Sequence, residues 1–408
     1  MTAVDLFCGA GGLSVGLSDA GYDVLFANDI DPASGRTFER NHPAAAFHLG
    51  DIHQVSASAI LKRTGLRKGE LDLLAGGPPC QGFSVMGARL LDDPRNELFR
   101  QFIRIARELQ PRSILIENVP GLMSFKNGEA LRQIAEAFEW AGYGCTIAEL
   151  LAAQYGVPQM RWRMIFVGFR NDLGVPPHHG VPKPTHGKRG IGELIPNCTI
   201  SDEDQIGFLT AFDAISDLPP VAAGEENPDY VGPPRSEFQS RMREGASGKL
   251  ANHYAPRLSQ QNLARIAHLE PGQDWRDLPF ALLPPGMQRA KRKDHTRRYS
   301  RMRWDGVPRS IITRFRDPKS GEYTHPEQSR TISIREAARI QSFPDRFVFE
   351  GAYSEQYDQV GNAVPCDLGR ALGLEIKACL AGTATFRLID PFSRRKALRQ
   401  PTLPLLLT

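Results

Sequence analysis

The stretch Gly76-Gly77-Pro78-Pro79-Cys80-Gln81-Gly82-Phe83-Ser84 sets a cysteine directly behind two prolines, at the end of a short apolar run. Leu71, Leu73, Leu74 and Ala75 read as a buried strand, Gly76 and Gly77 end it, and Pro78 and Pro79 fix the backbone ahead of Cys80. Such a thiol sits in a stiff loop at a strand's carboxyl end, where open α/β sheets bind their ligands. Cys80 by itself also fits a buried structural thiol, because free cysteine is among the most buried residue types. A second group decides between the two. In Ile114-Leu115-Ile116-Glu117-Asn118-Val119-Pro120 another apolar strand ends in an acid before a turn. Two adjacent strand ends then present a nucleophile and a carboxyl group to one pocket.

With PPCQ, ENV and the later Gln159-x-Arg161-x-Arg163, the chain resembles the cytosine-5 DNA methyltransferases of the bacterial restriction-modification type, over roughly residues 3–170 and 310–380 and in the family's order. The resemblance implies an α/β fold, a Rossmann-like S-adenosylmethionine-dependent methyltransferase domain with a smaller target recognition domain. It places the catalytic and cofactor-binding domain at 1–170, target recognition at 171–309, a bracing segment at 310–350, a return to the first domain at 351–380 and a tail at 381–408. Cys80, Glu117, Arg161 and Arg163 are the catalytic candidates.

The 408 residues, 41% of them hydrophobic, are enough for one large domain and a smaller second one. No uninterrupted apolar span approaches the ~20 residues of a membrane helix, and Val4 to Phe7 already reads as a strand, so a cytoplasmic setting is expected. The six cysteines show no Cys-x-x-Cys pair and no zinc-type spacing with histidine, which predicts reduced thiols and no metal. Net charge is +4 but uneven: residues 1–150 carry 14 basic against 18 acidic side chains, net −4, leaving net +8 for the remainder. Arg289 to Arg316 holds eleven Lys or Arg against Asp294 and Asp305, a composition that suits a polyanion or, at its plainest, a solvated face.

Taken in order, Val4 to Phe7 is a strand, Cys8-Gly9-Ala10-Gly11-Gly12 a glycine turn, and Leu13, Val15 and Leu17 open a helix. This is a nucleotide-binding opening, and Asp29, 20 residues after Gly9, ends the next apolar run where an acid can accept from ribose hydroxyls. A dinucleotide fingerprint, Gly-x-Gly-x-x-Gly, would place glycine where Ser14 stands. The family resemblance instead implies S-adenosylmethionine, lined by Phe7, Gly9, Gly11 and Pro78, with Asp29 on the ribose, Asp51 at the adenine, and Asn362 and Val364 from the returning segment.

Asp93 as N-cap, Pro94, and Leu98, Phe102, Ile105 and Leu109 on one face predict a helix joining the two catalytic strands. Gly82 to Asp92 reads as a mobile loop over the site, which in the family closes on DNA and contributes Ser84. Residues 127–141 read as a helix, and 146–151 and 163–169 as strands, with Arg161 and Arg163 at alternating spacing on one side. After Arg170 the proline- and glycine-rich texture has weak periodicity. At the end of that region Arg297 and Arg298 are phosphate candidates, while Tyr299, Trp304 and Phe315 suit either exposed bases or a core. Thr313 matches a family threonine near the target phosphate. Thr331 to Asp345 resembles the family's bracing segment.

The expected partner is double-stranded DNA, with a cognate restriction endonuclease acting separately and the chain working as a monomer. Two rival functions fit parts of the pattern: an RNA-methylating relative, which shares the catalytic motifs, and a catalytically silent DNA-binding regulator, which needs none of them.

Overall fold

A computed structural model describes residues 1–79, 97–124, 129–187, 206–289 and 297–385, except the side chains of 123 and 124. Cys80, Ser84, the loop from Gly82 to Asp92, the Asp93 cap with Pro94, the basic residues Lys291, Arg292 and Lys293, and the tail beyond residue 385 lie outside the described residues.

Seven strands make one sheet: β1 (Thr2–Leu6), β2 (Asp23–Asp29), β3 (Ala46–Leu49), β4 (Leu73–Gly76), β5 (Ser113–Asn118), β6 (Tyr143–Leu151) and β7 (Trp162–Arg170). Their order is β3-β2-β1-β4-β5-β7-β6, with β1 to β5 parallel and β7 antiparallel to both its neighbours. The Rossmann-like α/β reading holds. Short runs such as Leu73 to Gly76 are apolar on both faces because helices cover both faces of a parallel sheet. The strand order reverses between β1 and β4, which pair Leu6 with Gly76, so the loops after these two strands leave the sheet side by side. Gly76 makes that closeness possible: a Cβ there would collide with the Leu6 carbonyl oxygen.

The helices around the sheet are α1 (Gly12–Asp19), α2 (Pro32–Asn41), α3 (Ala57–Thr64), α4 (Glu97–Leu109), the single turn α5 (Gly121–Ser124) and α6 (Glu129–Ala141). The short α7 (Ala211–Ile215), α8 (Glu237–Arg243), α9 (Gln260–Ala267) and α10 (Pro285–Gln288) follow, then α11 (Ile334–Ile340), α12 (Tyr353–Asn362) and α13 (Cys366–Leu380). On one face of the sheet Val4, Leu6, Leu74, Ile114 and Ile116 pack against Phe99, Phe102, Ile105 and Leu109 of α4. On the other, Ala3, Leu73, Ala75 and Leu115 meet Leu13 and Leu17 of α1 and Leu368, Leu372 and Ile376 of α13. Among the described residues, no helix is long and apolar enough to cross a membrane.

The α1–α13 contact brings the far end of the chain to its beginning. Glycines make it close: a Cβ on Gly16 would collide with the Cys366 carbonyl oxygen, and one on Gly12 would stand 2.5 Å from the Val364 oxygen. A third core joins Ala10 and Val15 to Phe238, Met242, Phe315, Phe343 and Ile334, Ala337, Ala338 and Ile340 of α11. Its charged groups are buried with their partners. Arg330 is paired with Glu336 at 2.7 Å, and Arg339 with Asp345 at 2.6 Å and Asp217 at 3.1 Å. Arg335 donates to the carbonyls of Ala251, Pro344 and Phe347. A small fourth core holds Leu269, Trp275, Leu278, Leu283, Met287 and Tyr299.

Gly16→Ala is expected to destabilise the protein by about 1–3 kcal/mol, because overpacking forces two helices apart. Denaturant unfolding measures this, and an unchanged midpoint would mean that α1 and α13 can separate without cost.

Candidate functional site

The parallel register of β4 and β5, Gly76 opposite Ile116, sets Gly77 beside Glu117. A Cβ at Gly77 would lie 3.6 Å from the Glu117 Oε2 atom, so the missing side chain leaves room for the carboxylate. Asn118 Nδ2 donates to the Pro78 carbonyl at 3.0 Å, tying the Gly-Pro-Pro run to the end of β5. The chain therefore enters Cys80 from a backbone fixed next to Glu117. On the other side of β5, Glu117 stands opposite Ile165 of β7. Arg163, two residues along on the same face, is its diagonal neighbour and forms a largely buried ion pair with it.

Arg161 precedes β7 and goes elsewhere. Its guanidinium donates to Ser310 Oγ at 3.2 Å and to the carbonyls of Ile311 at 2.5 Å, Gly361 at 3.1 Å and Ala363 at 3.1 Å. The two arginines of one motif thus serve different partners.

At the end of β1, Phe7, Gly9 and Gly11 all have positive φ, +58°, +54° and +97°, which folds the turn back on itself. The Gly9 N–H donates to Asp29 Oδ2 at 2.8 Å, and the Asp31 N–H to Asp29 Oδ1 at 2.9 Å. Among the described residues, none beyond its chain neighbours comes within 4 Å of where a Gly9 Cβ would stand, so they leave this side of the turn open. Ser14 explains the departure from the dinucleotide pattern: its hydroxyl donates at 2.6 Å to Asp5, a carboxyl inside the sheet whose pKa burial pushes up to about 7. Burial also raises Asp29. Two carboxyl groups near the turn disfavour a pyrophosphate and suit hydroxyl and ammonium groups.

Asp51 accepts from the His53 N–H at 3.0 Å and from His53 Nδ1 at 2.6 Å, and these bonds hold it below the usual carboxylate range. His53 reaches towards Glu97, the first residue of α4, at 3.4 Å. Asn362 is exposed at the end of α12, and Val364 is partly buried against the turn at Gly12. The motif reading missed Ile30, 68% exposed directly behind Asp29, and His53. The first carried a signal, an apolar residue at a strand end with no strand to belong to.

In the basic stretch, Arg297 is paired with Glu322 at 3.0 Å, while Arg298 is exposed. Arg301 is buried, donating to the carbonyls of Ile266, Leu269 and His325. Tyr299 and Phe315 are fully buried, and Trp304 is half-buried with its indole N–H on Glu327. Of the two readings of these aromatics, the core is the one found. Thr313 is half-buried near the end of this stretch, its backbone flush against Gly361.

The profile of the family described as C-5 cytosine-specific DNA methylase matches residues 1–378. The chain is 33% identical to Type II methyltransferase M.AgeI of Thalassovita gelatinovora, over 93% of this chain and all of that one. It is also 33% identical to Type II methyltransferase M1.HphI of Haemophilus parahaemolyticus, over 91% and 85%. A solved structure from an E. coli prophage, described as a DNA modification methyltransferase, superposes with a TM-score of 0.69 at 25% identity, covering 93% of this chain and 99% of that one. The S. pombe Dnmt2 methyltransferase shares the fold, with a TM-score of 0.54 at 16% identity over 94% and 99%.

Ser14→Ala is expected to cost about 1–3 kcal/mol of stability by leaving a buried acceptor unmet. An acid whose folded pKa is raised loses stability as pH climbs from its unfolded value, 3.8, to its folded one, about 7. Removing the hydroxyl raises the folded value further, so the deficit of the variant should grow from pH ~6 to pH ~8. Urea titrations at the two pH values check this, and an equal deficit at both would mean that Ser14 does not support the ionised form.

Proposed function

The chain belongs to the C-5 cytosine-specific DNA methylase family, and from that premise we propose that it transfers a methyl group from S-adenosylmethionine to carbon 5 of cytosine within a specific duplex sequence, through covalent attack by Cys80. The observation that carries the reading is the Glu117–Arg163 pair standing beside the Gly77-Pro78-Pro79 run that leads into Cys80.

Carbon 5 of cytosine is too weak a nucleophile to accept a methyl group unaided. The thiolate of Cys80 adds at carbon 6 and pushes electron density into the ring, giving an enamine. A free thiol, with pKa about 8.5, is mostly protonated at neutral pH, and the positive charge of Arg163 favours the thiolate. Glu117 shares a proton with ring nitrogen 3 and accepts from the exocyclic amine, stabilising the charge that develops on attack. Arg163 holds that carboxyl group in place. Once carbon 5 is methylated, loss of its proton and departure of the Cys80 sulfur restore the ring.

The residues of the first turn fit the cofactor: the open side of Gly9, the positive-φ turn and the carboxylate of Asp29 form a cradle for a ribose, with Asp51 towards the adenine. S-adenosylmethionine, when bound, supplies an electrophilic methyl group on a sulfonium. Phe7, Gly11, Pro78, Asn362 and Val364 complete the wall.

A stacked base cannot reach this pocket, so the cytosine is flipped out, at a cost of a few kcal/mol that contacts from both sides of the cleft offset. Residues 171–309 read the sequence, 310–350 brace them and 351–380 return to the cofactor. Ser84, Arg298 and Thr313 meet the DNA, with Arg297 contributing less because Glu322 already holds it. The Type II names of the relatives support a role in modification opposite a separate endonuclease.

Cys80→Ala should abolish methylation and leave DNA binding largely intact, and duplexes carrying 5-fluorocytosine should trap a covalent adduct with the unmodified protein, because fluorine does not leave as a proton does. Transfer of labelled methyl groups and denaturing gels read both outcomes; turnover by the alanine variant would remove Cys80 from the mechanism. Arg298→Gln should weaken binding to all duplexes alike and flatten the slope of log K against log salt by ~0.9. Anisotropy titrations over a salt series give that slope, and an unaltered value would place Arg298 away from phosphate.

A further inference from the structure

Building on that reading, we infer that Arg161 is a positioning residue which joins the DNA-side segment 310–313 to the cofactor-side turn 361–363, setting the affinity for both substrates without acting on the Cys80 thiol. The geometry carries this. One end of the guanidinium, Nη1, reaches Ser310 Oγ and the Ile311 carbonyl, and the other, Nη2, reaches the carbonyls of Gly361 and Ala363. Two segments 50 residues apart in sequence therefore hang on a single planar fork.

Its neighbours reinforce the joint. Met160 N–H donates to the Pro308 carbonyl at 2.8 Å, starting the alignment of 308–311 against the strand leading to β7. Gln159 accepts from the Ile311 N–H at 2.8 Å and donates to the Ile340 carbonyl at 3.1 Å and to Gln341 Oε1 at 2.9 Å. Gln341 in turn donates to the Val360 carbonyl at 2.8 Å. Gly361 lies so close to Ile312 and Thr313 that a Cβ would overlap the Thr313 nitrogen. Thr313 is the proposed phosphate contact, and Asn362 and Val364 are the proposed cofactor contacts.

The chemistry of the side chain agrees. Arg161 is fully buried, and every hydrogen bond described for its guanidinium goes to a neutral oxygen. A buried charge with no bonded carboxylate is expensive, so it is retained where its fixed array of donors does something that a point charge or an apolar side chain cannot. Lysine has no planar fork to span both segments. Arg163, two residues on, is the arginine bound to Glu117, so the motif divides into one residue for the reacting groups and one for the walls.

The test compares Arg161→Met, Arg161→Lys and Gly361→Ala with the unaltered protein. The measured quantities are kcat and the KM values for S-adenosylmethionine and for sheared unmethylated genomic DNA, from about pH 6 to 9, with melting curves to establish folding. Both KM values should rise together, by about tenfold for Arg161→Met. The pH midpoint of kcat should stay in place, and Gly361→Ala, which pushes the turn off Thr313 with Arg161 intact, should reproduce the joint rise. A displaced pH midpoint with unchanged KM values would mean that Arg161 acts on the thiol and would overturn the inference. So would a rise for one substrate alone. If the Arg161 variants fail to melt cooperatively, Gly361→Ala decides: a joint rise supports the joint, and unaltered constants refute it. Absence of methyl transfer by the unaltered protein would instead strike the functional reading.

Discussion

The pairing of β5 with an antiparallel β7 is the constraint on which the site depends. Parallel neighbours alone, β4 and β5, set Gly77 beside Glu117 but provide no counter-charge for a carboxylate at the sheet's edge. Because β7 runs the other way, its amino end arrives where β5 finishes, and Arg163 meets Glu117 across the register of Glu117 with Ile165. A slip of β7 by one residue against β5 would turn Arg163 to the face opposite Glu117 and break the pair. The pair is largely buried, so losing either member leaves a charge unmet, which is more costly than the pair's net worth.

A second constraint closes the molecule. The turn at 361–364 belongs to a segment more than 340 residues beyond the glycine loop it contacts, and the α1–α13 interface is what delivers it there. Glycine at 16 lets the backbones of the two helices approach to a distance that a side chain would forbid, glycine at 12 does the same for the turn at Val364, and Gly369 and Gly373 pack tightly against Leu13 and Ala20. The third core then packs α11 against the same α1 through Ala10 and Val15. The returning segment and α11 thus share one helix as their support, and Arg161 adds a direct tie between 310–311 and 361–363.

How much of this was legible in the sequence follows from how local each cause is. The strands ending at Gly76 and Asn118 could be read because an apolar run and its Gly or Pro stop are neighbours in sequence. The face of α4 could be read because Phe102, Ile105 and Leu109 recur with the helical period. The partners of Arg161 lie 149 to 202 residues away, and no spacing rule points to them. Residues 206–330 were opaque for a related reason. Their order comes from short helices, isolated bridges and buried arginines donating to carbonyl groups, such as Arg301 with Ile266 and Leu269, and none of these produces periodicity. Ser14 was visible as a departure from a fingerprint, but its cause, the Asp5 carboxyl nine residues earlier, appears only once β1 and α1 are folded together.

Composition misleads most where arginine is a building material. From Arg289 to Arg316 the sequence carries a local charge of +9, yet that sum does not point outwards. Arg301 is buried, Arg303 is paired with Asp305, and Arg297 and Arg309 converge on Glu322. The aromatics interleaved among them, Tyr299 and Phe315, fill cores. Among the described residues of this stretch, Arg289, Arg298 and Arg314 are exposed with no carboxylate at ion-pair distance, and Arg316 is exposed over the ring of Tyr357. Two of these four, Arg314 and Arg316, flank Thr313 closely. Half of that unpaired positive charge therefore lies a few residues from Ile311, where Arg161 anchors the backbone, so a polyanion drawn to Arg314 and Arg316 would meet a segment held from inside the molecule.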